Sequence, residues 1–305
     1  MLAARDAKIE DIKYPVLVSP KMDGCRAIVI DGKIVSRKLE RFPNPYVHYL
    51  FDSHQLDGVD GELVVGKPTD DQVRNLTSGH LNRKDGEPEF TYHVFDRDAY
   101  GDWLPFKARY KGLVVAVDCW RKAGWGDNIQ LVEHTLVEND VDLMAFEKDC
   151  LDMGYEGVII RGLENTYKYG RSTLKEGGML KLKRFVDAEA QVLKINEEME
   201  NTNPAERDKL GRTKRSKAKA GLVGKSRAGE LEVIGVNGQF KDVEFVVPLG
   251  GAGDIGKAEW WVRKGRHLLG TDKTLPVITY RFFPIGVKDK PLLTTYVGIR
   301  EDWDQ

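Results

Sequence analysis

The sequence is short of cysteine: only Cys25, Cys119 and Cys150 occur among its 305 residues, and no two form a C-x-x-C pair. That excludes a zinc ribbon and a disulfide framework, and it fits a reducing compartment. No apolar run approaches the ~20 residues of a membrane-spanning helix. The opening "MLAARDAKIEDIKYP" lacks the hydrophobic stretch of a secretory signal, so a cytoplasmic protein with no membrane partner is expected. Six histidines, His80, His93 and His134 among them, show no H-x-x-x-H metal spacing and read as structural or surface residues. Neither sign of charge is in excess: 47 Lys and Arg face 48 Asp and Glu, a net charge of −1. Without a global field, any surface that attracts nucleic acid must be local. No internal repeat is visible. The chain is 41% apolar and 31% charged, ordinary for a soluble globular protein, and long enough for one large or two ordinary domains.

The stretch "SPKMDGCRAIVIDGKIVSRK" (residues 19–38) carries a hairpin signal. Ala27–Ile30 is apolar, Asp31-Gly32 tolerates the positive φ of a tight turn, and Lys33–Ser36 continues as a second strand. Lys21, Asp23 and Arg26 cluster at its entrance, where burial would make each costly. Either they form a solvated strand end or they line a cleft.

Further strands are expected at Val16–Val18, Glu62–Val65, Thr91–Phe95 and Gly157–Arg161. Helices are expected at Lys107–Ala123 and at Asp140–Met153, the latter with a glycine at its end. After Phe185 the character changes to strands, "AEAQVLKINEEME", "GELEVIGV", "KDVEFVVP", "LPVITYRFF" and "LLTTYVGIR", with one amphipathic helix, "KAEWWVRKGRHLL". That composition suggests a small barrel of the oligonucleotide-binding type. The expected fold class is α+β, with one domain over residues 1–186 and an all-β barrel bearing one helix over 187–305. Between the first barrel strands lies "ERDKLGRTKRSKAKAGLVGKSRAG" (206–229). Its Lys209, Arg212, Lys214, Arg215, Lys217 and Lys219, with three further cations, oppose only Glu206 and Asp208. One reading is a flexible solvated loop. The other is an arm that tracks phosphates, and a nearly neutral chain concentrating its positive charge here favours it.

Charged residues return at strand ends: Glu62 in "DGVDGELVVG", Asp96 after Phe95 in "FTYHVFDRD", Glu156 and Arg161 in "GYEGVIIR". In "GGMLKLKRF" a period of two sends Lys181 and Lys183 to one face and Leu180 and Leu182 to the other. Each alone is explained by an exposed strand end. Together, three cations, two carboxylates and an aromatic match a nucleoside triphosphate bound with a divalent metal.

In this order the motifs resemble a known family. K-M-D-G-C-R looks like the K-x-D-G-x-R nucleophile motif of the covalent nucleotidyltransferases: ATP-dependent DNA ligases, RNA ligases and mRNA capping enzymes. S-R-K, D-G-E-L, F-D, E-G-V-I-I-R and L-K-L-K-R resemble the motifs that follow, across residues 19–185. The barrel ending "PLLTTYVGIRED" is similar to the terminal barrel of DNA ligases. The kind most resembled is the small ATP-dependent DNA ligase of bacteriophages and some bacteria. The resemblance implies that Lys21 attacks the α-phosphate of ATP, forms lysyl-AMP, and passes AMP to the 5′-phosphate of a nick, from which the 3′-hydroxyl displaces it. Such an amine must be neutral to attack, and desolvation, nearby cations and a metal favour that form.

By the same resemblance Arg26 and Arg37 hold ribose and phosphates, Phe95 stacks on adenine, and Lys181 and Lys183 act on the α-phosphate as catalytic groups. Glu62 contacts ribose or metal, and Glu156 serves the metal, Mg²⁺ or Mn²⁺. Pro20, Arg161 and Arg300 complete the nucleotide set, Arg300 orienting pyrophosphate. The implied partner is nicked double-stranded DNA, and the implied state a monomer. Two departures stand out. Ser19 replaces a glutamate that reads the adenine amine in many DNA ligases. Trp303 replaces the lysine of the terminal R-E-D-K, with Lys288 or Lys290 as candidate substitutes. An RNA ligase or capping-type nucleotidyltransferase shares the first domain and remains an alternative, as does a non-catalytic nucleic-acid end-binding protein. Retention of Lys21, Glu62, Glu156, Lys181 and Lys183 argues against the last.

Overall fold

A computed structural model describes residues 1–4, 7–98, 103–284, 287 and 289–300. It divides into two compact units, Met1–Lys183 and Arg184–Gln305. The division falls a few residues ahead of the boundary expected at 186.

In the first unit the elements are β1 (Val16–Pro20), β2 (Cys25–Ile30), β3 (Lys33–Ser36), α1 (Pro45–Phe51), β4 (Val59–Val65), α2 (Val73–Asn82) and β5 (Phe90–Arg97). There follow α3 (Phe106–Trp120), β6 (Ile129–Leu131), β7 (Thr135–Val137), α4 (Asp140–Asp152), β8 (Val158–Gly162) and β9 (Leu180–Leu182). They form two sheets, a five-stranded one in the order β3-β2-β4-β5-β6 and a four-stranded one in the order β7-β1-β8-β9. All pairings are antiparallel except β5 with β6.

The β2–β3 hairpin turns at Asp31 and Gly32, both with positive φ, as the D-G dipeptide requires. α4 begins where the Asn139 side chain accepts the Asp142 N–H at 3.0 Å, and ends ahead of Gly154 at φ +93°. α1 and α2 are not evident from the sequence. α1 is only seven residues long. α2 buries no more than the narrow stripe Val73, Thr77 and Leu81, and Gly79 weakens its helical pattern.

Each sheet has its own apolar core. Val29, Phe51, Leu63, Tyr92, Val94 and Leu113 centre one; Val18, Leu143, Val158, Ile160 and Leu180 centre the other. A buried ionic cluster ties them. Asp96 on β5 accepts from Arg109 of α3 at 2.8 and 3.0 Å and from Arg161 of β8, and the Arg161 guanidinium lies 3.9 Å from the Phe106 ring centroid. Burial alone would raise the Asp96 carboxyl; the two guanidiniums overcome it and hold it at about 2.

The second unit contains β10 (Val186–Asn201), β11 (Ala205–Arg207), β12 (Thr213–Arg215), β13 (Leu222–Gly235), β14 (Glu244–Pro248), α5 (Gly253–Leu268), β15 (Val277–Phe283) and β16 (Leu292–Ile299). Its main sheet runs β14-β13-β10-β15-β16. The outer strands approach one another, with Thr294 Oγ1 donating to the Val246 carbonyl at 2.9 Å, so the sheet curls into the oligonucleotide-binding barrel. Inside are Val192, Leu231, Val233, Phe245, Ile278, Tyr280 and Phe282, with Trp260 of α5 inserted among them. A register shift between Val192 and Lys194 resets the alternation, so that Ile195 continues the core face.

The basic segment is not a loop. β10 and β13 stay paired out to Asn201 and Leu222, and the β11–β12 hairpin caps the ribbon they form. Asn203 supports the tip, donating to the Ser216 and Ala218 carbonyls at 3.0 and 2.9 Å. Among the described residues, no helix is long and apolar enough to cross a membrane.

The ionic cluster makes a test of the first unit. Asp96→Ala would leave two buried guanidiniums without their carboxylate, and should destabilise that unit by about 3–5 kcal/mol. Denaturant unfolding of the variant against the parent measures this; a loss below about 1 kcal/mol would mean that the cluster contributes little to holding the two sheets together.

Candidate nucleotide site

Residues 21–24 carry the chain from β1 in the four-stranded sheet to β2 in the five-stranded one. A cavity of about 540 Å³ opens at this crossing. β1 brings Ser19 and Pro20 to its wall, followed by Lys21; β8 brings Ile159 and Arg161, and β9 brings Lys181 with Lys183 just beyond. The other sheet contributes Arg26 from β2, Glu62 from β4 and Phe95 from β5. Among the described residues ten cationic side chains line the cavity against three carboxylates, Asp23, Glu40 and Glu62. A polyanion is the natural occupant of such a field.

The backbone fixes the nucleophile candidate. Lys21 N–H donates to the Gly157 carbonyl at 2.8 Å, and Glu156 N–H donates to the Lys21 carbonyl at 3.2 Å. Their side chains therefore emerge together, and Lys21 Nζ donates to Glu156 Oε2. Lys183 Nζ donates to the other oxygen, Oε1, so one buried carboxylate bridges two lysines. Gly157 makes this approach possible: its φ is +142°, and a Cβ there would collide with the Leu182 carbonyl oxygen. Gly24 has a similar role, since a Cβ would strike the Leu63 carbonyl and the Glu62 side chain.

On the opposite sheet Arg26 pairs in register with Glu62, and its guanidinium forks onto Asp60, Nε to Oδ1 at 2.9 Å. Tyr167 Oη also donates to Asp60, at 2.8 Å. Thus held, Arg26 lies over the Phe95 ring, 5.2 Å from its centroid. Burial pushes the Glu62 carboxyl up to about 8, with Arg26 and Arg74 opposing only in part.

Residues 1–183 match the family model of the ATP dependent DNA ligase domain. The chain belongs to the ATP-dependent DNA ligase family. It is similar to a solved Chlorella virus DNA ligase-adenylate, 25% identical over 99% of this chain and 97% of that one, with a TM-score of 0.53. It also resembles a solved Lig E DNA ligase, at 19% identity over 98% of each chain and a TM-score of 0.68. No curated protein sequence matches it.

In the ligase, Pro20, Lys21, Arg26, Arg37, Glu62, Phe95, Arg161, Lys181 and Lys183 all line the one cavity, and Glu156 bonds two of them. Arg161 is the most enclosed, its Nη2 on Asp96 and its Nε without a hydrogen-bond partner among the described residues. Arg300 belongs to the second unit, where its Nη1 meets Glu189 at 2.6 Å. Lys290 is exposed there, while Lys288 and Trp303 lie outside the described residues. Along the arm Lys209, Arg212, Lys214, Arg215, Lys217 and Lys219 are exposed. At the base of the arm Glu198 meets Lys225, Arg227 and Lys257. Among the cavity residues that sequence reasoning missed are Arg41, Arg74, Arg171 and His134. The three arginines stand outside the quoted motifs, and only the folded chain brings them in. His134 has no metal-like spacing, so the sequence alone gives it no more than a structural or surface role.

Gly157 yields the second test. Gly157→Val would force β9 off β8, separate Lys183 from Glu156, and strain a backbone that only glycine adopts readily. Lysyl-nucleotide formation should fall by ~100-fold, with some loss of stability. Single-turnover labelling with ATP measures it, and an undiminished rate would show that the close approach is dispensable.

Proposed function

We propose that this ligase seals nicks in duplex DNA through lysyl-AMP and DNA-adenylate intermediates, with Lys21 as the nucleophile. The observation that carries the reading is the Lys21 amine in a cationic cavity, hydrogen-bonded to Glu156 and sharing that cavity with Lys181 and Lys183. Lys21 Nζ forms a bond to the α-phosphorus of ATP as the bond to pyrophosphate breaks. Glu156 Oε2, already in contact with Nζ, is the acceptor within reach for the proton that the amine must shed. Lys181, Lys183 and Arg26 stabilise charge on the transferring phosphoryl group. Phe95 offers the base an aromatic surface, with Ile159 among the apolar residues around it, and Arg37 and Arg161 lie within the same cavity for ribose and phosphates. The nick's 5′-phosphate then displaces Lys21 to give the DNA adenylate, and the 3′-hydroxyl displaces AMP.

Among the described residues no three His, Cys, Asp or Glu side chains cluster as a metal site. Glu62, once its raised carboxyl gives up its proton, and Glu156, once released by a lysine, would hold Mg²⁺ or Mn²⁺ together with ATP's own phosphate oxygens, the arrangement Mg²⁺ ordinarily adopts. When bound, the cation neutralises phosphate charge. Arg300, for pyrophosphate, must first release Glu189. Residues 1–183 act as the adenylating domain, and the barrel with its arm grips the duplex. The working unit is a single chain in the cell interior, acting in DNA repair, replication or recombination.

Lys21→Ala should abolish lysyl-AMP formation, read by mass spectrometry as loss of the AMP adduct after incubation with ATP and Mg²⁺. It should retain sealing of a nick that already carries 5′-AMP, because that step needs no new lysyl intermediate. An adduct on the variant would move the nucleophile elsewhere.

For the arm, replacing Lys214, Arg215, Lys217 and Lys219 with alanine should weaken nick binding regardless of DNA sequence. The slope of log affinity against log salt should flatten by about 0.9 for each phosphate that the arm no longer neutralises. Lysyl-AMP formation should be unchanged. Binding titrations at low and moderate salt decide it, an unaltered slope returning the arm to a solvated ribbon.

A further inference from the structure

The proposed reaction requires the cavity to choose a base, and the side chain at position 19 cannot choose alone. A serine hydroxyl both donates and accepts, so it pairs as readily with the O6 acceptor of guanine as with the N6 amine of adenine. Discrimination requires a group fixed in one role, and the cavity wall holds one. The β1–β7 register sets Val18 opposite Thr135, and one step further brings His134 alongside Ser19. His134 lines the cavity with Ser19, Phe95, Val132 and Ile159. Val132 N–H donates to the Val94 carbonyl at 2.8 Å, which draws this segment against the strand that carries Phe95.

The ring of His134 is held on three sides. Tyr110 and Phe106 pack edge-on to it, with centroids 4.6 and 5.3 Å away. Nδ1 lies 3.0 Å from the Val132 carbonyl, and a carbonyl can only accept, so Nδ1 carries the proton. In a neutral imidazole Nε2 then has a lone pair and no hydrogen. Nε2 has no hydrogen-bond partner among the described residues, and the half-buried ring lines the cavity. Enclosure, aided by Arg161, keeps the second proton off down to about pH 4, so the acceptor role holds across the physiological range.

We infer that His134, through Nε2, accepts a hydrogen bond from the exocyclic amine of adenine and selects ATP over GTP. The inference rests on the adenylating role proposed for Lys21. Guanine would present O6 to the same lone pair, acceptor against acceptor.

The test compares single-turnover lysyl-nucleotide formation from ATP, GTP and purine riboside triphosphate, which lacks the amine. The wild-type protein should use ATP about 10-fold or more better than purine riboside triphosphate, the size of one such hydrogen bond. His134→Phe keeps the packing but has no acceptor. It should bring ATP down to the level of purine riboside triphosphate, leave the latter unchanged, and narrow the ATP-to-GTP ratio. His134→Gln, whose carbonyl oxygen can accept, should restore part of the preference. Equal use of ATP and purine riboside triphosphate by the wild-type protein would overturn the inference, whatever the variants do. So would an equal loss on both substrates in His134→Phe, the mark of a purely structural role. A wild-type protein that forms no lysyl nucleotide from any triphosphate would overturn the adenylating role, and this inference with it.

Discussion

One carboxylate set between two lysines organises the site. Glu156 is buried, and an unpaired carboxylate there would be costly; bridging Lys21 and Lys183 compensates it. The bridge depends on the antiparallel β1–β8 pairing and on Gly157, which lets β9 come close enough for Lys183 to reach. It also holds two cations near one another, a repulsive arrangement that persists because the anion lies between them.

The same design recurs deeper in the first unit. Asp60 gathers Arg26 and Tyr167, and Asp96 gathers Arg109 and Arg161. In each case a buried carboxylate fixes an arginine that also reaches the cavity wall. Arginine suits the role because its planar fork is held by two hydrogen bonds and so loses little further freedom when a phosphate arrives. The cavity is thus positive by construction, although the chain as a whole is close to neutral.

The second unit separates shape from charge. Its barrel core is aromatic and aliphatic, while its positive charge is carried out on a ribbon formed by extending two barrel strands. Glu198 engages the cations at the ribbon's base, and the cations toward the tip remain exposed to solvent. Such a ribbon presents charge on a paired backbone, with less conformational entropy to lose on binding than a loop of equal length.

That Lys21, Glu62, Lys181 and Lys183 share a cavity bordered by Glu156 was legible in the sequence through the resemblance carried by the order of short motifs, and a period of two gave the common face of Lys181 and Lys183. The β2–β3 hairpin was legible through Asp31-Gly32. α2 and the β10–β13 ribbon were not: one is a polar helix with a narrow buried stripe, and the other is made of exposed residues whose pairing comes from strands that begin in the core. Residue types and their order therefore determined the kind of chemistry and the two-part architecture. Tertiary structure alone decided that Arg41, Arg74 and Arg171 join the cavity, that Asp60 and Asp96 anchor its arginines, and that His134 stands beside Ser19. Those neighbours lie far apart in the chain, and they meet only because sheet register and core packing bring them together.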